Sequence, residues 1–262
     1  VPNNRNAASG NEFSKYWKSQ SFLIVSGGSK AYNARLMNII FKNGLAAARK
    51  NAGPGFLLQG FALTLVLLYY FHAPTREILL KIPELQQRMG PFFPAISTAF
   101  FGGLIPFLFM AARKEIPKGQ RVSNLLFLLV YWAINGLIID LLYQLQAILF
   151  GDQHDAVTVI KKVCVDQFVF SVFWSAPVAT VCMHWKNCGF SFRAARRQFS
   201  RSQLTVELPS IIISIWAVWI PTVSIVYSLP LALQFPLFSI VLCFWSLLLT
   251  ALSKEKTNEL DP

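Results

Sequence analysis

Six long apolar runs, separated by short polar segments, constrain this sequence more than any other feature. They cover residues 56–71, 92–112, 125–150, 163–185, 209–229 and 235–252. A hydrocarbon core about 30 Å thick is crossed by about 20 helical residues at 1.5 Å each. Every run meets or approaches that length, and the first is the shortest. A soluble protein with this pattern would need six helices that are apolar on every face inside one small domain. Charged residues make up only 14% of the chain and hydrophobic residues 54%. Soluble domains average about 25% and 45–50%, so a water-exposed surface lacks its usual charge. The expected fold is all-α: a polytopic transmembrane bundle of about six membrane helices, preceded by a basic amphipathic segment.

The distribution of positive charge tests this division independently. If the N-terminus lies inside, 19 of the 24 Lys and Arg residues fall on inside segments. That bias is what the positive-inside rule requires. It predicts six crossings, with both termini on the cytoplasmic side of a bacterial membrane or the matrix side of an organellar inner membrane. The net charge of +12 therefore belongs to membrane-flanking segments. No Arg-rich stripe interleaved with stacking aromatics points to nucleic acid.

Four segments follow. Residues 1–52 form a basic arm and an amphipathic segment, in which Leu36, Ile39, Ile40 and Ala47 recur at near-helical spacing among Lys and Arg. This segment fits an anionic lipid surface or the protein's own body equally well. Gly53-Pro54-Gly55 is expected to break the chain. Residues 53–91 then hold an extra hydrophobic helix and a polar loop, residues 92–253 the main bundle, and residues 254–262 a polar tail.

Polar groups inside the runs are the candidate functional positions. An ionised Asp at the centre of a membrane helix costs roughly 2.5–3.5 kcal/mol, so Asp140 and Asp166 must pair, protonate or face water. Asp166 with Gln167 is the strongest such pair. It reads either as the lining of an aqueous path or as a structural knot near Lys162. Asp140 is open between pore lining and packing. Asn135 and Gln144 suit interhelical hydrogen bonds. Pro106, Pro221, Pro230 and Pro236 free backbone carbonyls, and the simplest expectation is that they kink their helices. His184, Cys182 and Cys188 fall short of the four ligands of a structural zinc site. No metal site, cofactor or catalytic residue is assigned, because no nucleotide, metalloprotease or hydrolase motif occurs. The chain reads as a non-enzyme.

Residues 161–167, Lys-Lys-Val-Cys-Val-Asp-Gln, followed by Phe170, resemble the Lys-x-x-x-Asp-Gln-x-x-Phe signature of the Mpv-seventeen / peroxisomal-membrane-protein-twenty-two family. Gly136, Tyr143 and Gly151 stand at the spacing of that family's upstream element. Trp219 with Pro221, and Pro230 with Trp245, resemble its downstream elements. The resemblance spans about residues 94–252. It departs from the family pattern at Leu137, Leu142, Val172, Ile220, Ile225 and Gln234. It implies a divergent branch of a group of small helical proteins of peroxisomal and mitochondrial inner membranes, with bacterial relatives. It also implies structural roles for the seven family-motif residues. Together with the intramembrane polar groups, it leads to the expectation of a pore or channel-like protein for small solutes. The alternative is a non-transporting scaffold that assembles with other membrane proteins. Expected partners are membrane lipids, anionic ones among them, further copies of the chain or other membrane subunits.

Overall fold

The computed structural model describes residues 29–258. Among them the chain is helical, with no strand. Helix α1 spans Ser29–Phe71 and α2 Ala73–Met89. Phe92–Ala112 forms α3, with a π-helical stretch at Ala99–Leu104. Helix α4 is Arg121–Phe150. Residues 156–187 form α5, in which Val165–Ser175 is π-helical. The short α6, Phe192–Gln198, leads to α7, Gln203–Tyr227, which begins with a π turn at Gln203–Glu207. Helix α8 is Leu231–Asn258.

Among the described residues, four helices are long and apolar enough to cross a membrane: Asn51–Phe71 within α1, then α3, α4 and α7. The sixth expected run lies in a shorter apolar stretch, Leu231–Leu247. The fourth lies in α5, a continuous helical rod that carries Asp166 and Gln167. Along α4, Leu126, Val130, Ile134, Leu137, Leu141 and Leu145 are all exposed. They repeat every three to four residues, so they form one apolar outer stripe. Such a face suits lipid, and these helices fit a membrane location.

The break expected at Gly53-Pro54-Gly55 is absent, and α1 runs straight through it. The boundary expected between residues 52 and 53 therefore lies inside one helix. The reason is packing. Helices α1 and α7 run parallel and in contact, from Ser210 Oγ bonding to the Ile40 carbonyl (3.3 Å) to Tyr70 OH bonding to the Ser228 carbonyl (2.9 Å). A Cβ on Gly44 would come within 2.7 Å of Ile213, and one on Gly55 within 3.0 Å of Val218. Small residues let the two backbones approach, as they do in membrane helices generally. The amphipathic segment thus packs in part on the protein's own body: Ile40 and Ala48 are buried. The basic arm expected over residues 1–21 lies outside the described residues.

Prolines are accommodated by widened turns. The three π stretches end at Leu104, Ser175 and Glu207, each two residues before a proline: Pro106, Pro177 and Pro209. A proline lacks an N–H and its ring crowds the carbonyl four residues back. Shifting the preceding turn to i→i+5 bonding moves that carbonyl aside. Pro221 and Pro236 lie inside α7 and α8 without such a stretch. The fifth and sixth runs are separate helices, parted at residues 228–230.

The close-packed core occupies the end of the bundle where α1 and α7 finish and α8 begins. It joins Leu58, Ala62 and Val66 of α1 to Val223, Val226 and Tyr227 of α7, and to Phe235 and Val241 of α8. At the same end α2 lies across the bundle, with Leu79 and Ile82 on the core and Ile78, Leu80 and Leu85 exposed. Asp155 opens α5 there. Its carboxylate accepts from the amides of Val157 (2.9 Å) and Thr158 (3.2 Å) and from the Thr158 hydroxyl (2.6 Å).

Two predictions follow from these contacts. Gly136 of α4 faces α3, where a Cβ would collide with Thr98 Oγ1 and the Pro94 carbonyl. Gly136→Ala should therefore cost about 1–3 kcal/mol. Gly53, with nothing within 4 Å of its Cβ position, should gain about 0.5–1 kcal/mol from Gly53→Ala. Unfolding in mild detergent compares the two. Separately, the Thr158 bonds hold the Asp155 carboxyl below the ordinary carboxylate range. The cap then contributes at neutral pH and is lost as pH falls through that depressed value, below about pH 4. The amide resonances of Val157 and Thr158 should shift together in that acid window, and should be pH-independent there in Asp155→Ala.

Candidate functional site

A cavity of about 920 Å³ occupies the other half of the bundle. Five helices build it: α1, α4, α5, α7 and α8. Its lining on α7 extends from Val206 to Val223, a rise of about 26 Å. On α1 it runs along Asn43, Ala47 and Asn51, and on α7 along Ser210 and Ser214. These residues recur every four positions, so each set lies on one helix face. Asn51 Nδ2 donates to Ser214 Oγ at 3.1 Å and ties the two faces together. Asn43 is exposed and Glu207 half-buried, which puts the mouth where α1 and α7 begin.

The floor is built around Asp166. Its Oδ2 accepts the Tyr227 hydroxyl at 2.6 Å, and its Oδ1 accepts Gln167 Nε2 at 2.9 Å. Trp216 Nε1 donates to the Gln167 backbone carbonyl at 2.9 Å. Ring contacts between Tyr143 and Tyr227 (5.2 Å) and between Tyr143 and Phe238 (6.2 Å) close the floor. Tyr227 is buried one turn beyond Val223, the last lining residue of α7. The π-helical backbone at Val165–Ser175 carries Asp166, Gln167, Phe170, Ser171 and Ser175 into the lining.

Asn135, Asp166 and Gln167 all line the cavity, as do Tyr143, Trp219 and Trp245. Trp219 and Trp245 meet edge to face, with centroids 6.3 Å apart. Asn135 bonds back to the Tyr131 carbonyl at 2.7 Å. Asp140 is elsewhere. It faces α2, accepting from Gln144 Nε2 (2.6 Å) and Gln86 Nε2 (3.4 Å). Gly136 packs α4 onto α3, where Thr98 Oγ1 lies 2.7 Å from the Trp132 carbonyl. Gly151 ends α4 with φ +87°. Pro221 lines a smaller groove between α1 and α7, and the Pro230 carbonyl accepts the Leu233 amide at the start of α8.

Lys162 does not pair with Asp166. It is 1% exposed, outside the cavity lining, and its Nζ has no hydrogen-bond partner. His184, outside the lining, ties α5 to α6 and α7 instead. Its Nε2 lies 3.1 Å from the Ala195 carbonyl and its Nδ1 3.3 Å from Gln203 Nε2. The tautomer protonated at Nε2 satisfies both contacts. Cys188 Sγ lies 3.7 Å from His184 Nε2, and among the described residues no three ligand side chains gather for a metal ion.

Glu207, Ser171, Ser175, Ser210, Ser214 and Tyr227 were not among the residues expected from sequence. Ser210 and Ser214, four apart in an apolar run, carried a usable signal: small polar groups stacked on one face. Tyr227 carried none, since a tyrosine near the end of an apolar run also suits the membrane interface.

No family model, curated protein or solved structure shows significant similarity to this chain.

The Tyr227–Asp166 bond is testable. Tyr227→Phe leaves a buried carboxylate short of a donor and should cost about 1–3 kcal/mol. In an Asp166→Leu background the same change should cost far less, giving a coupling of about 1–2 kcal/mol in a double-mutant cycle. Additive losses would show that the bond contributes little.

Proposed function

We propose that this chain is a six-crossing integral membrane protein that passes small solutes, with both termini on the same side. The observation that carries this reading is the polar-lined cavity inside a bundle whose outer faces are apolar. A purely structural bundle in lipid gains nothing from a 920 Å³ space lined by Asp166, Gln167, Asn135 and several serines. Buried polar groups in hydrocarbon are costly and mark solute or ion paths. In the proposed topology α5 and α8 supply the two crossings beyond the four long apolar helices. The mouth then opens toward the side rich in Lys and Arg, and the close-packed half forms the barrier.

The proposal keeps the resemblance to the Mpv-seventeen / peroxisomal-membrane-protein-twenty-two family as support. Of the residues that carry it, Tyr143, Asp166, Gln167, Phe170, Trp219 and Trp245 line this cavity. Asp140 is assigned to packing between α4 and α2, and Asp166 to the path.

Purified protein in planar bilayers should give single-channel currents, and in liposomes it should release small solutes. Asp166→Asn should change unitary conductance by roughly two-fold or more, since a charge at a constriction dominates the local potential. Asp140→Asn should leave it near the wild-type value. Folded, inserted protein that passes neither ions nor solutes would move the assignment to the scaffold reading.

A further inference from the structure

We infer that the cavity is a binding site for a protonated organic amine carried on an apolar or aromatic body. The inference rests on the cavity's assignment as the solute path and names the class of solute it accepts.

Charge selection is the first argument. The chain has 24 Lys and Arg against 12 Asp and Glu. Yet the charged groups in the described lining are two carboxylates, Asp166 and Glu207, with no Lys, Arg or His. One stands at the mouth and one at the floor, so a cation meets an acidic group at both ends of the route.

The second argument is an acceptor left over at the floor. Gln167 is 2% exposed and lines the cavity, and its Oε1 has no hydrogen-bond partner. Its Nε2 is committed to Asp166, which fixes the amide so that the oxygen cannot exchange places with the nitrogen. A buried acceptor without a donor costs about 1–3 kcal/mol. Oε1 is itself closed to the cavity, so a ligand N–H recovers that loss through a small movement of the floor, and an ammonium has three N–H groups to offer. A carboxylate or phosphate ligand has no donor for this position and would face Asp166 as a like charge.

Third, the walls are aromatic. Trp132, Trp219, Trp245, Tyr143, Phe170 and Phe238 line the same space. Their faces attract a desolvated cation and bury an apolar body. The volume of about 920 Å³ matches the range of about 300–1,000 Å³ that holds a drug-sized molecule. Inorganic cations would leave most of this wall unused.

The experiment compares three probes of one shape on the purified full chain in mild detergent: phenethylammonium, 2-phenylethanol and 3-phenylpropanoate. Binding is read by titration calorimetry, which does not depend on conduction. The ammonium should bind saturably and at least about ten-fold more tightly than the alcohol or the anion, one such interaction being worth a decade in affinity. Asp166→Asn should lose about ten-fold for the ammonium alone, and Gln167→Leu should reduce it without affecting the alcohol. Equal binding of the three probes by the wild-type protein overturns the inference, and so does preference for the anion. That wild-type comparison stands even if a variant fails to fold. Conductance without ammonium binding would retain the path and reject this solute class. Ammonium binding without conductance would retain the site and reject the path.

Discussion

A backbone hydrogen bond left unmade in hydrocarbon costs several kcal/mol, because no water is present to replace the missing partner. That constraint governs the architecture. It makes the chain helical from end to end of its apolar runs and decides how its prolines are tolerated. Pro106, Pro177 and Pro209 each follow a π stretch by two residues. The wider turn takes up the strain locally and keeps the rod continuous. It also changes which residues share a face. In α5 the π stretch sets Asp166 and Gln167 at the floor of the cavity and keeps Ser171 and Ser175 in line above them. The backbone solution to a proline and the placement of the polar site are therefore one structural event.

The same constraint separates the bundle into two halves. Where α1 and α7 pack on Gly44 and Gly55, their backbones come close. Further along, Leu58, Ala62, Val226 and Val241 are almost wholly buried and fill the interior. In the other half α1 and α7 still touch, through Asn51 and Ser214, while the faces of α4, α5, α7 and α8 carry Asn, Ser and Trp around the cavity. The junction is the Tyr143–Tyr227–Asp166 cluster. It carries Asp166, a buried carboxylate, and ties α5 to α7 across the interior.

Much of this was legible in the sequence, and the misreadings have physical causes. Hydropathy located the helices because lipid-facing positions need apolar side chains whatever their neighbours are. Asp166 and Gln167 stood out because charge is rare in such runs. Facing was harder to read. Asn135, Ile139 and Tyr143 share one face of α4, whereas Asp140, five residues after Asn135, points away toward α2. That follows from 100° per residue, but only once one member of the face is known to meet the cavity. Gly53-Pro54-Gly55 was misread because those residues punctuate chains in water. Between membrane helices a glycine such as Gly55 permits close approach. Glu207 escaped notice because it lies just before its apolar run, among arginines, where a carboxylate looks like ordinary surface.

The floor of the cavity combines two roles in one side chain. Both carboxylate oxygens of Asp166 already hold donors, one from Tyr227 and one from Gln167. A donor entering from the cavity must share Oδ1 with Gln167 or compete with Tyr227 for Oδ2. Competition for Oδ2 loosens the bond that holds α7 to α5 at the closed end, while sharing Oδ1 leaves it intact. Under the proposed function, occupancy and closure would then be linked through one acceptor, because a group that donates to Asp166 would compete at the bond that holds α7 to α5. An apolar solute of the same size fills the walls but makes no such demand. The chemistry that would select a solute and the chemistry that would open its way are thus carried by the same few atoms.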